Sequence, residues 1–356
     1  MHRLLFATAA LAVLLTGCRP AQNHEPPATT RWPVMSTVAE LSLPAAAAAN
    51  LSRLQPVVAD CFASVDQSMS LFQPTSEIAR INQMAGAGPP TTIGAETADV
   101  LRYALRVAQE SDSAFDPTIS PLMKLWGFRR DVTVVERPTD DALRTTMEQI
   151  GWRHIQLTPG DAATSATARL ARPGMALDLG GIAKGYAVDQ ACEALLKQGC
   201  PDFLVNLAGN MRARGTPGRN RNGWRVGIRD PLHDGAWLGT IILRDGEGIA
   251  TSGNYERYVI IDGQRYTHII DPRTGHPVTG LISVTVLATS ALEADALSTA
   301  LFVLGVEQRR ALLDAHPNCG AVYLLDTHPP RIEITPALHL RFTPAPAWAD
   351  AVQSLD

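Results

Sequence analysis

The feature that most restricts what this chain can fold into is a glycine pair, Gly180-Gly181, set between two stretches of different hydrophobic period. Met175-Ala176-Leu177-Asp178-Leu179 before the pair reads as a buried strand. Ile182 to Gln198 after it places Ala183, Ala187, Ala191 and Leu195 on one helical face. Phe203 to Leu207 resumes as strand, so the unit expected is strand, tight turn, helix, strand. Glycines at such a handover let backbone approach a ligand closely, and a helix that starts there offers unpaired amides, a phosphate-facing geometry. Lys184 brings a full positive charge to the same place. The bland alternative is a plain turn with a solvated lysine, because neither Walker nor Rossmann spacing is present.

The rest of the chain supplies partners for this unit. Val38 to Leu43 alternates apolar and polar residues as a half-buried strand does. Ala45 to Met69 and Ala95 to Asp112 have helical spacing, and Ser76 is placed to cap a short helix through Asn82. Asp140 to Ile150 is another helix. Strands are expected at Trp224 to Arg229, Leu238 to Leu243, Tyr258 to Ile261 and Ser283 to Ala288, and a last helix at Ala291 to Leu304, stopped by Gly305. The strands after Trp224 follow one another without helices between them. This gives a mixed α/β fold of largely antiparallel sheets covered by helices.

The ends read differently. Met1-His2-Arg3 and the apolar stretch Leu4 to Leu15 run into Leu15-Thr16-Gly17-Cys18, a secretory signal with a lipoprotein cleavage box. That stretch is too short to span a bilayer, which takes about 20 apolar residues. Residues 1–17 are therefore expected to be removed and Cys18 to become a lipid-bearing first residue, anchoring the protein to a membrane on its exported, periplasmic side. Residues 18–30 are polar and proline-containing and read as a tether. A globular domain then covers 31–345, with 346–356 as a C-terminal tail. Net charge is −4, so no basic field exists to hold nucleic acid. Cys61, Cys192, Cys200 and Cys319 show no metal-like spacing. In an oxidising compartment they are open to disulfide pairing, and equally they fit as small buried residues.

Three further clusters offer chemistry. Asp295 and Thr299 stand four apart on the last helix, so their oxygens share a face. Hard oxygen donors of this kind suit magnesium, although such a pair is more often polar surface. His268, in Tyr266-Thr267-His268-Ile269-Ile270-Asp271-Pro272, is able to serve as a general base; a structural histidine is the commoner outcome. Ser113-Ala114-Phe115-Asp116-Pro117-Thr118 holds a ring and a carboxylate in a proline-restrained loop, although a plain turn is the more frequent reading. Ala250-Thr251-Ser252-Gly253-Asn254 is a hydroxyl-rich loop suited to polar contacts.

Taken in order, DLGGIAKGYAVD, ATSGNYER, THIIDPRTGHPV and EADALSTALFVLG resemble the ApbE family of flavin transferases, over Met35 to about Gly320. The resemblance implies FAD as substrate and Mg2+ as cofactor, with FMN passed to a threonine or serine of an exported flavoprotein subunit. By the same resemblance Asp295, Thr299 and the carbonyl of Gly181 hold the metal. Met35, Phe72, Ala114, Phe115, Asp116, Asp178, Lys184 and Ile269 contact FAD, and His268 deprotonates the acceptor. The chain departs from the family at Met35-Ser36-Thr37, where Met-Gly-Thr is usual, and at Ala208-Gly209-Asn210, where Gly-Gly-Asp is usual. Hydrolysis of FAD to FMN and AMP in the same site, or FAD storage without turnover, are the competing readings.

Overall fold

The computed structural model describes residues 25–129, 136–160, 165–218 and 221–355. The signal segment, Cys18 and the start of the tether lie outside these residues. The centre is a nine-stranded sheet in the spatial order Ala28–Val34, Thr37–Leu43, Phe203–Leu207, Asn210–Arg214, Gly248–Gly253, Leu281–Ala288, Gly320–Leu325, Arg331–Ile334, Val352–Ser354. All neighbouring pairs are antiparallel except the last, where Arg331–Ile334 runs parallel to Val352–Ser354. The expected antiparallel, helix-covered α/β architecture is the one found.

The sheet is covered on both faces, and the strand Leu281–Ala288 shows how the sequence accomplishes this. Every residue in it is buried. Val284, Val286 and Ala288 join the main core with the helices Leu51–Met69, Ala183–Lys197 and Ala291–Leu304. Leu287 points the other way, into a second core closed by the three-stranded sheet Trp224–Arg229, Trp237–Leu243 and Phe342–Pro344. A central strand with apolar residues on both sides reads as a continuous run rather than an alternation. The helix Ala291–Leu304 behaves likewise, burying 11 of its 14 residues, Asp295 among them.

Three expectations meet a different structure. Met175 to Leu179 is extended but forms no strand; Ala176 makes a single bridge to Ile119. Its peptide groups are satisfied across a loop instead. Leu177 donates to Asn82 Oδ1 at 2.7 Å and accepts from Asn82 Nδ2 at 3.0 Å, while Asp178 N donates to Pro117 O at 2.8 Å. An apolar run reports burial, and a side-chain amide can replace a ladder partner. The tether does not extend to Thr30, because Ala28 to Thr30 belong to the edge strand Ala28–Val34, paired with Thr37–Leu43. The stretch Pro346 to Ser354 is no free tail: Trp348 is buried and donates from Nε1 to Asp230 Oδ2 at 2.8 Å, and Val352–Ser354 closes the sheet. All four described cysteines are free thiols, three of them buried.

Candidate active site

Two helices carry the site, and each is held at its first turn by a carboxylate from the other. Asp189, on the helix Ala183–Lys197, accepts from the amides of Ala291 (3.0 Å) and Leu292 (2.9 Å) at the start of the buried helix. Asp295, on that buried helix, accepts from Gly185 N at 2.9 Å at the start of the other. Carboxylates are favoured at helix starts, where unpaired N–H groups give the end a partial positive charge. Contact between the helices is close because residue 185 is glycine: a Cβ there would sit 2.2 Å from the Ala291 carbonyl oxygen. This revises the expectation of a helix start with free amides. Ala183 N donates to Leu179 O, and Gly185 N is taken by Asp295, so the anion at this helix start belongs to the protein.

Around Asp295 the oxygens gather. Thr299 Oγ1 lies 3.3 Å from Ser252 Oγ, and a Cβ on Gly181 would lie 3.1 Å from the same Thr299 oxygen and 3.4 Å from the Phe115 ring. Lys184 Nζ donates to Gly180 O at 3.0 Å and stands 3.5 Å from Asp295 Oδ1. The ammonium thus already bridges a glycine-turn carbonyl and the helix carboxylate. An all-oxygen surrounding that collects a cation in this way has the donor chemistry that fits a hard divalent ion, and Thr299 and Gly181 lie against each other within it.

A second group of residues closes the site beside the glycine turn. Asp178 Oδ1 accepts from Gly180 N at 2.8 Å, which fixes the turn, and its Oδ2 accepts from Arg129 at 3.0 Å. The Arg129 guanidinium also donates to Ser120 Oγ at 2.8 Å and lies 5.8 Å from the centre of the Phe72 ring, an aromatic half exposed to solvent. The neighbouring Phe128 meets His268 edge-to-face at 6.3 Å.

His268 is positioned by the strand end at Arg257: its Nδ1–H donates to the Arg257 carbonyl at 3.1 Å, which leaves the lone pair on Nε2. Burial pushes its pKa down from 6.5 to about 4, helped by the positive charges of Arg257 and Lys184 and opposed by the Arg257 carbonyl and Asp178. The imidazole is therefore neutral at pH 7, the state a base requires. Its contact with Phe128, the residue before the Arg129 that pairs with Asp178, sets it beside the same glycine turn.

The remaining expected contacts divide. Phe115 is buried against Gly181 and Ala114 is buried beside it. Ile269 is buried directly after His268, its carbonyl held by Val278 N at 2.9 Å. The Asp116 carboxylate is consumed inside its loop, accepting from Thr118 N (2.8 Å), Thr118 Oγ1 (2.6 Å) and Trp152 N (2.9 Å), with burial raising its pKa. It shapes the loop that presents Phe115. Met35 is reached by none of these contacts; it packs on the main core from a two-residue hairpin turn, with φ 49° at Met35 and 59° at Ser36. Arg129, Phe128 and Asp189 were not anticipated. Asp189 stands one helical turn beyond Gly185 and was visible as a polar residue in the motif, whereas nothing in the local sequence joins Arg129 to Asp178.

Known proteins resemble this chain in sequence and in fold. The model of the ApbE family matches residues 35–323. The FAD:protein FMN transferase of Escherichia coli K12 is 31% identical over 313 residues, covering 86% of this chain and 88% of that protein. The FAD:protein FMN transferase of Vibrio cholerae O395 is 33% identical over 321 residues, covering 89% and 92%. Among solved structures, the ApbE protein of Thermotoga maritima superposes with a TM-score of 0.78 at 28% identity, covering 89% of this chain and all of that one. The flavin transferase ApbE of Vibrio cholerae gives 0.76 at 29% identity, with the same coverage. With fold, motif order and sequence in agreement over nearly all of its described length, this chain belongs to the ApbE family.

Proposed function

We propose that this chain is a magnesium-dependent FAD:protein FMN transferase that moves FMN from FAD to a threonine or serine hydroxyl of an exported flavoprotein subunit and releases AMP. The observation that carries the reading is the pairing of a neutral histidine, its Nε2 lone pair free of the Arg257 contact, with a cation-gathering oxygen cluster beside one glycine turn. In the proposed reaction the acceptor oxygen bonds to the FMN-side phosphorus, the bond from that phosphorus to the AMP oxygen breaks, and the acceptor proton passes to His268 Nε2. Lys184 lends positive charge beside the linked phosphates, and Phe72 and Phe115 supply aromatic faces for the flavin or adenine ring. Mg2+ held by Asp295, Thr299 and the Gly181 carbonyl would neutralise charge on the transferring phosphoryl group. The lipid on Cys18 is proposed to keep the enzyme at the membrane facing exported acceptors. Labelling of the chain by a fatty acid, lost in Cys18→Ala, tests this; labelling that persists in the variant refutes it.

The experiment for the activity incubates the protein with FAD, Mg2+ and an acceptor subunit and weighs the acceptor by mass spectrometry. A gain of one FMN on a threonine or serine, with AMP released, is expected. Free FMN and AMP without that gain would establish hydrolysis instead, and unchanged FAD would establish storage.

A further inference from the structure

Among the described residues, one group of mixed ligand types lies outside the site above. Glu293, His316 and Cys319 bring a carboxylate oxygen, a ring nitrogen and a sulfur all within 4.8 Å of one another. We infer that this group is a binding site for a zinc-like divalent cation, joining the first turn of the buried helix to the segment that enters strand Gly320–Leu325.

The geometry supports the reading at three points. His316 Nδ1 is 2.7 Å from Glu293 Oε1. Two tetrahedral ligands with bonds of about 2.0–2.1 Å stand about 3.3 Å apart, so a small opening of that contact admits the ion. The other ring nitrogen, Nε2, donates to Glu110 Oε2 at 3.0 Å. A carboxylate behind the ligating histidine is the arrangement that fixes tautomer and ring orientation at zinc sites. Finally, Glu293 is itself aimed: its Oε2 accepts from Thr289 N at 3.1 Å and Thr289 Oγ1 at 2.5 Å, which leaves Oε1 turned toward the histidine.

Donor chemistry separates this site from the oxygen cluster at Asp295. One sulfur and one imidazole favour zinc over magnesium, and three protein ligands leave a fourth position for water. His316 and Cys319 are buried, while Glu110 and Glu293 keep partial solvent access that gives the ion an entry path. No bond is made or broken by the ion here; it clasps the helix Ala95–Glu110, the buried helix and the last strands to one another.

The test titrates the reduced full chain with Co2+, as a spectroscopic probe for Zn2+, in excess Mg2+ so that the oxygen cluster is filled. One equivalent is expected to bind with a thiolate-to-cobalt charge-transfer band, displaced by Zn2+. The band should vanish in Cys319→Ser, and affinity should fall about 10–100-fold in Glu110→Gln. Absence of the band in the unaltered protein, its persistence in Cys319→Ser, or unchanged affinity in Glu110→Gln would each overturn the assignment.

Discussion

Replacing Gly185 by alanine separates two accounts of this protein by the sign of the effect. Helix propensity alone makes alanine better than glycine inside a helix by about 1 kcal/mol, so the substitution ought to stabilise. The structure argues the reverse. A Cβ at 185 would lie 2.2 Å from Ala291 O, 2.6 Å from Ala291 C and 2.8 Å from Asp295 Cβ. Two of these neighbours are backbone, so no side chain can swing aside, and the helices must part by about 1 Å to restore ordinary contact. Overpacking of this kind costs about 1–3 kcal/mol. Separation also stretches the 2.9 Å bond from Gly185 N to Asp295, and hydrogen bonds to charged groups contribute about 1.5–3 kcal/mol. Set against propensity, the net expectation is a loss of about 2–4 kcal/mol, read as a Tm lower by several degrees. Because Asp295 moves with its helix, FMN transfer should fall by about 100-fold, the cost of misplacing a reacting group by roughly 1 Å. A Tm equal to or above that of the unaltered protein, with transfer intact, would refute the close-approach argument.

Other expectations are as direct. Arg129→Met strands the Asp178 carboxylate in a setting where its side chain is only 11% exposed, and stability should drop by about 3 kcal/mol in chemical unfolding; a change below about 0.5 kcal/mol would show the pair to be dispensable. His268 must be neutral to accept a proton, and its folded pKa is near 4, so transfer should hold from pH 7 down past 6 and fall only as pH approaches 4; an acid limb at 6.5 would contradict this. The same depression makes the unfolded chain bind the extra proton first, so this group's contribution to stability is present above pH 6.5 and shrinks as pH falls toward 4. Ser36→Gly should raise stability by about 0.5–1 kcal/mol by relieving a left-handed non-glycine residue, and a lower Tm in that variant would show that the serine side chain outweighs the strain.

Local pattern made the helices and most strands legible, because burial on one face leaves a period in the sequence. The helix Ala291–Leu304 has the bounds and the Gly305 stop that the sequence predicts, the glycine's positive φ of 64° being local chemistry, and Ser290 caps its other end. Met175 to Leu179 was misread because its hydrogen bonds go to Asn82 and Pro117, partners distant in sequence. Of the site, Asp295, Thr299, Gly181 and Lys184 were legible as oxygen-bearing or cationic residues at suitable spacing, but their meeting was known only through resemblance. Arg129 was invisible, since one arginine among many gains meaning only from the carboxylate it finds. The two departures from the family acquire a shared explanation: Ser36 and Ala208 both occupy left-handed positions in two-residue hairpins, with φ of 59° and 53°. Glycine adopts both conformations without strain.

The crossed carboxylates of Asp189 and Asp295 couple what many enzymes keep apart. Asp189 steadies the helix that carries Asp295, and Asp295 steadies the helix that follows the glycine turn, so on the proposed reading damage to either acid loosens the scaffold and blunts the chemistry in a single stroke. Variants of this pair cannot be sorted into fragile and inactive classes; a thermal screen of the helix crossing would rank them for turnover as well.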